Sequence, residues 1–194
     1  LVNALSKAPE KDINFKFIVS AKKTNLPVSD DPQPKQKKPS GFLTPLLNKN
    51  YSFEKFIEGS NNQFAKNAAI SVASDPGNSS FNPLIVYGGV GLGKTHLIHS
   101  IGNAILKENP QTNVVLATSE KFTLDFVNSL RKNKTVEFAK QYRSADVLLI
   151  DDIQFFRGKE QTQEQFFHTF NELYQAGKQI VLTADRYPAE MQGL

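Results

Sequence analysis

From Asn48 onward, short apolar runs alternate with longer stretches in which apolar residues recur at three- and four-residue spacing. Four of the short runs, Leu84 to Tyr87, Asn113 to Ala117, Asp146 to Asp151 and Gln179 to Thr183, have the length and aliphatic content of buried strands. The stretches between them predict helices. One covers Lys94 to Lys107. A second follows Ser119, read as its cap, and sets Phe122, Phe126 and Leu130 on one side. A short third covers Thr135 to Tyr142. A fourth runs from about Thr162 to Gln175, stacks Phe166, Phe170, Leu173 and Tyr174 as a core stripe, and stops at Gly177 in a left-handed conformation. Upstream, Ser60 and Gln63 have the spacing of a capping box for a helix reaching about Ala73, which the turn residues Asp75, Pro76, Gly77 and Asn78 end. Strands alternating with helices predict an α/β fold, a parallel sheet covered on both faces.

The first 45 residues break this pattern. Ile13, Phe15, Phe17 and Val19 alternate with polar neighbours as in a half-buried strand, but no partner strands follow. Thr24 to Pro45 contains five prolines among scattered Lys and Asp, a composition that disfavours helix and sheet alike. The expected division is residues 1–22 as the end of an N-terminal domain, 23–45 as a flexible linker, and 46–194 as the main domain.

Composition refines this picture. With 39% hydrophobic and 22% charged residues in 194, the chain resembles a globular protein rather than a disordered or fibrous one. The absence of cysteine excludes a disulfide framework, a thiolate zinc site and a cysteine nucleophile. The net charge of +4 hints at nucleic acid, but nine basic residues face four acidic ones before Tyr51, and the remainder is net −1. The charge therefore describes the leader, not the main domain. The longest aliphatic run, Val147 to Ile150, falls far short of the roughly 20 apolar residues that cross a bilayer. No secretory pattern opens the chain, so a cytoplasmic location is expected.

The strongest chemical signal is Gly88-Gly89-Val90-Gly91-Leu92-Gly93-Lys94-Thr95, which fits GxxxxGK[ST] between the first strand and the first long helix. Glycines let backbone N–H groups turn toward phosphate oxygens, and the helix N-terminus adds unpaired donors and partial positive charge. Lys94 is expected on the β and γ phosphates of ATP or ADP, and Thr95 on Mg²⁺. His96 is the next residue of the nucleotide-binding run; its side chain, like those of His99 and His168, is assigned to packing or surface. The run Val147 to Ile150 ends in Asp151 and Asp152, at the carboxyl edge where an open parallel sheet binds ligands. Asp151 is the expected Mg²⁺ partner and Asp152 the residue that orients or deprotonates an attacking water. Asp185, ending the fourth strand, is placed to sense the γ phosphate through water.

The strings NPLIVYGGVGLGKTHLIHSIGN, ADVLLIDDIQFF, EQFFHTFNELY and IVLTADRYPAEM together resemble the AAA+ ATPase domain of the bacterial replication initiator family DnaA, and LLNKNYSFEKFIEGSNNQFA resembles the segment leading into it. The similarity runs from about Leu46 to Leu194. It implies a P-loop NTPase three-layer sandwich and an ATP-switched protein that binds origin DNA, self-assembles into a helical oligomer, melts duplex and recruits the replicative helicase, with acidic phospholipids as a further partner. It implies Ile57 beside the adenine, an extra helix over Phe138 to Arg143, and Val127 and Lys159 on single-stranded DNA. Gln161 stands where the family usually has Arg. By this resemblance the sequence ends before the arginine finger, the second sensor arginine, the lid domain and the duplex-reading helix-turn-helix. Three readings stay open: a slow Mg²⁺-dependent ATPase, a nucleotide switch whose turnover is incidental, and a helicase loader or regulator of the same superfamily.

Overall fold

The computed structural model describes residues 47–187, within which the four apolar runs form one parallel sheet. In chain order the elements are α1 (Gln63–Ser74), β1 (Leu84–Tyr87), α2 (Lys94–Glu108), β2 (Val114–Thr118), α3 (Ser119–Arg131), α4 (Thr135–Arg143), β3 (Val147–Asp151), a 3-10 turn (Ile153–Phe156), α5 (Glu160–Gln175) and β4 (Gln179–Ala184). The strand order is β1-β4-β3-β2. Leu149 of β3 pairs with Leu116 of β2 on one side and Val181 of β4 on the other. β3 and β4 are buried throughout, which is why their middles, Val147 to Ile150 and Ile180 to Leu182, are unbroken aliphatic runs rather than alternating ones.

Alternate residues of β3 enter two different cores. Val147 and Leu149 pack with Ala65, Val72, Leu97 and Ile101 of α1 and α2, whereas Leu148 and Ile150 pack with Phe122, Phe138, Phe156 and Phe166 on the opposite face. The chain crosses from β1 to the far edge, β2, beneath α2, then returns through β3 and β4 with α3, α4 and α5 on the other face. Such a reversal of strand order opens a crevice at the carboxyl ends of the strands.

Several local expectations need correction. Ser60 and Gln63 form no capping box: Ser60 Oγ turns to Asn61 Oδ1, and Asn62 occupies the N-cap position. The Asn62 side chain folds the preceding turn instead, accepting the Gly59 N–H at 2.8 Å and donating to the Ile57 carbonyl at 3.0 Å. The cap of α3 is Thr118, whose hydroxyl accepts the Lys121 N–H at 3.1 Å; Ser119 lies inside the first turn, fully buried. The apolar stripes are narrower than predicted. Leu130 is 44% and Tyr174 38% exposed, since eight residues along a helix the stripe has rotated by about 80°. Gly177 ends α5 as expected, at φ 69°, with the Lys178 N–H reaching the Leu173 carbonyl at 2.9 Å and its own N–H reaching that of Tyr174 at 3.0 Å. The readings for residues 1–46, including the alternation at Ile13 to Val19, lie outside the described residues. Among the described residues, no helix is long and apolar enough to cross a membrane.

Candidate functional site

The glycine run joins the carboxyl end of β1 to α2. The Gly88 N–H donates to the Ala184 carbonyl at 3.2 Å, fixing the start of the loop to the end of β4. At its other end Gly93 caps α2 with φ 87°, a conformation costly to any residue with a Cβ; a Cβ there would also lie 2.7 Å from Phe56 Cε2. Val90 stands at the tip, 93% exposed. Lys94 is only 7% exposed and arches back over the loop, its Nζ donating to the Gly89 carbonyl at 2.9 Å. The ammonium thus sits inside the curve of the loop, above the first turn of α2.

The carboxylates converge on the same edge. Asp151 is 4% exposed; its Oδ2 accepts the Thr95 hydroxyl at 2.8 Å and its Oδ1 accepts the Thr183 hydroxyl. Thr183 in turn accepts the Asp152 N–H at 2.8 Å, so one hydroxyl of β4 holds both acids that end β3. Asp152 takes a left-handed conformation, φ 57° and ψ 55°, uncommon for a residue other than glycine. Its carbonyl accepts Ser119 Oγ at 2.6 Å and its Oδ1 accepts Gln154 Nε2 at 3.0 Å. Asp185 closes the group: its N–H donates to Gln154 Oε1 at 3.2 Å and its carboxylate takes a two-bond fork from Arg186 at 3.1 and 3.0 Å. That hydrogen bonding, helped by the charges of Arg186 and Lys94, holds the Asp185 carboxyl below its ordinary range against a partial desolvation.

These groups fit a magnesium nucleotide. An alcohol oxygen on Thr95 and a carboxylate on Asp151, 2.8 Å apart, are the hard donors that Mg²⁺ takes, and a buried ammonium beside a helix N-terminus complements phosphate.

Beside the loop, residues 48–52 lie along α2 on a rail of three side chains one helical face apart. His96 Nε2 donates to the Ser52 carbonyl at 2.8 Å, His99 Nδ1 accepts the Asn48 N–H at 3.0 Å, and Asn103 Nδ2 donates to the carbonyls of Asn48 and Tyr51 at 2.9 and 2.8 Å. The Tyr51 ring sits 4.8 Å from that of His96 and 5.3 Å from that of His99. Burial lowers the His99 pKa, with the Asp151 charge pulling the other way. The packing assigned to His96 and His99 is thus specific hydrogen bonding to backbone, while His168 is exposed on α5, 3.7 Å from Glu164. The segment ends on Phe56, buried against Gly93, and Ile57, 88% exposed. Val127 is half-buried on α3 and Lys159 half-buried at the N-cap of α5, with Gln161 exposed in the next turn.

Ser119, Gln154 and Asn103 were not legible as site residues. Thr183 had a signal, a polar residue directly after three aliphatic ones at the carboxyl end of β4; Gln154 had none.

The bacterial DnaA ATPase domain family matches residues 47–194. Domain III of the Thermotoga maritima replication initiation protein DnaA is 50% identical over 76% of this chain and 61% of its own, with a TM-score of 0.74. A replication initiator DnaA bound to AMPPCP and single-stranded DNA is 40% identical over 77% of this chain and 46% of its own, with a TM-score of 0.73. The DnaC helicase loader shares the fold alone, at 17% identity over 72% of this chain and 78% of its own, with a TM-score of 0.62. The sequence thus spans less than two thirds of the initiator chains it resembles. Family match, fold and phosphate-loop geometry agree, and the chain belongs to the bacterial DnaA ATPase domain family, an AAA+ nucleotide-binding domain.

Proposed function

We propose that this chain is the ATP-Mg²⁺ binding and hydrolysing core of a chromosomal replication initiator, whose nucleotide state controls assembly on origin DNA. The observation that carries the reading is the convergence of Lys94, Thr95, Asp151, Asp152 and Asp185 on one sheet edge beside a helix N-terminus. In this reading Gly88 to Gly93 surround the phosphates with backbone N–H groups, and Lys94 leaves the Gly89 carbonyl to pair with the β and γ phosphates. Thr95 and Asp151 hold Mg²⁺, which when bound offsets negative charge on the phosphate oxygens. Asp152, with a carboxylate oxygen beyond the Gln154 bond, orients the attacking water and draws its proton. Asp185 senses the γ phosphate from the end of β4. Ile57 and the anchored Phe56 bring the lead-in segment against the adenine.

The relative bound to single-stranded DNA supports a DNA partner, and Val127 with Lys159 supplies the mixture of apolar surface and cation that tracks a strand. Neutral Gln161 weakens that patch relative to an arginine. Reading of origin duplex, self-assembly, helicase recruitment, contact with acidic phospholipids and a cytoplasmic setting belong to the same proposal.

The test uses the full-length protein. Lys94→Ala lowers ATP affinity by at least about 100-fold, the loss of two charge-assisted phosphate contacts. Asp152→Asn leaves affinity within about two-fold and stops hydrolysis. Retention of native affinity by the first variant, or native turnover by the second, refutes the corresponding assignment.

A further inference from the structure

We propose that Gln154 is the positioning residue for Asp152, fixing the direction of its carboxylate and tying it to the end of β4. The inference rests on the reading of Asp152 as the water-orienting group.

Asp152 is held at three points. Its N–H is fixed by Thr183 and its carbonyl by Ser119, which pins the left-handed backbone between β4 and α3. What remains free is the side chain, and the Gln154 amide bonds one of its two oxygens, Oδ1, at 3.0 Å. Among the described residues Oδ2 accepts no such bond, so one oxygen is anchored while the other is left to accept from water. The opposite end of the same amide accepts the Asp185 N–H at 3.2 Å. Gln154 lies within the 3-10 turn that begins immediately after Asp152, and this turn holds it half-buried between the two strand ends.

The chemistry of the side chain suits this place. An amide offers a donor to a carboxylate and an acceptor to a backbone N–H from one rigid planar group. A glutamate of the same length keeps the acceptor and loses the donor; a lysine keeps a donor and loses the acceptor. Being neutral, the amide orients the Asp152 carboxylate without pairing off the charge needed to draw a proton from water. Since Asp185 senses the γ phosphate in this reading, a shift of the β4 end passes from the Asp185 N–H through Gln154 to the Asp152 carboxylate.

The experiment compares Gln154→Ala, Gln154→Glu and Asp152→Asn with the native full-length protein, measuring ATP affinity, single-turnover hydrolysis of bound ATP, and thermal unfolding. The expected result for Gln154→Ala is ATP affinity within about two-fold of native and an unchanged melting temperature, with hydrolysis slowed about five-fold or more; Gln154→Glu slows hydrolysis at least as much and also lowers affinity and stability, because its carboxylate faces that of Asp152. The Ala variant carries the argument, because it removes the donor to Asp152 without adding charge. Native hydrolysis in Gln154→Ala while Asp152→Asn is inactive overturns the positioning role alone. Native hydrolysis in Asp152→Asn overturns the assignment of Asp152, and this inference falls with it. Parallel loss of binding, stability and turnover in Gln154→Ala assigns Gln154 to the fold rather than to Asp152 and also overturns the proposal.

Discussion

Replacing Gly102 by alanine sets helix propensity against packing at the point where α2 meets the sheet. Gly102 is buried in the middle of α2, where alanine would ordinarily stabilise the helix by about 0.8–1.0 kcal/mol. A Cβ there, however, would lie 2.7 Å from Leu47 Cδ2 and 3.0 Å from Leu149 Cδ1. Leu47 begins the described chain and is only partly buried, so its side chain can rotate away. Leu149 cannot: it is fully buried in β3 between two neighbouring strands. Overpacking of this kind costs about 1–3 kcal/mol, so the net expectation is a destabilisation of about 1 kcal/mol. For a domain of this size that lowers the melting temperature by roughly 2–4 °C. The same strain acts on function, since α2 carries Thr95 and β3 carries Asp151, and their 2.8 Å hydrogen bond spans the interface being forced apart. Urea unfolding and ATP titration of Gly102→Ala test both effects, and Leu47→Ala in the same background recovers part of the loss through non-additivity of about 0.5 kcal/mol or more. An Ala variant more stable than native by the full propensity increment, with unchanged ATP affinity, refutes the argument.

Two further predictions concern the side chains that support the site. For His99, burial depresses the folded-state pKa below 6.5, so as pH falls from about 6.5 the unfolded chain binds the proton first and stability falls; at higher pH the contribution is complete. Thermal unfolding at about pH 7.5 and 5.5 should therefore show an acid-induced loss that His99→Gln diminishes, and an identical loss in that variant refutes the assignment. Thr183→Val removes the one hydroxyl that serves both Asp151 and Asp152, leaving a buried acceptor and an N–H unpaired; it costs about 2 kcal/mol in urea unfolding and slows hydrolysis. A cost below about 0.5 kcal/mol means that water or rearrangement replaces the hydroxyl.

The sheet was legible because burial on both faces puts three or more consecutive aliphatic residues into each strand. The strand expected over Asp146 to Asp151 is one residue longer than β3, whose five residues, Val147 to Asp151, are all buried. Helix ends were less legible, and for a physical reason. Ser60 and Asn62 both have side chains able to cap; which one sits at the N-cap depends on the Gly59 N–H and Ile57 carbonyl that turn Asn62 backward. Thr118 and Ser119 pose the same ambiguity. There the strand decides: Thr118 still pairs with Asp151 as the last residue of β2, which leaves it with the extended backbone that an N-cap requires, and Ser119 is then free to reach the Asp152 carbonyl.

The phosphate loop was legible because its requirement is local. A tight approach of backbone to phosphate demands glycines in a row, then a lysine and a hydroxyl on the first helical turn, all within eight residues. The groups that aim the acids answer a different requirement. Thr183 reaches Asp152 across 31 residues of sequence, Ser119 across 33, and on α2 Asn103 reaches Asn48 across 55. Each is an ordinary polar residue until the parallel register brings its strand or helix beside the partner, so no short pattern marks it. Gln154 is the extreme case. It is two residues from Asp152, yet nothing in Asp-Asp-Ile-Gln distinguishes an amide facing solvent from one bridging two strand ends. The division is thus between residues proposed to meet the ligand, which its chemistry dictates and local sequence can display, and residues that hold them, which only the fold brings into contact. In this domain the second set is concentrated where β3 and β4 end, and substitutions there should alter turnover while leaving the sequence signature of the nucleotide site intact.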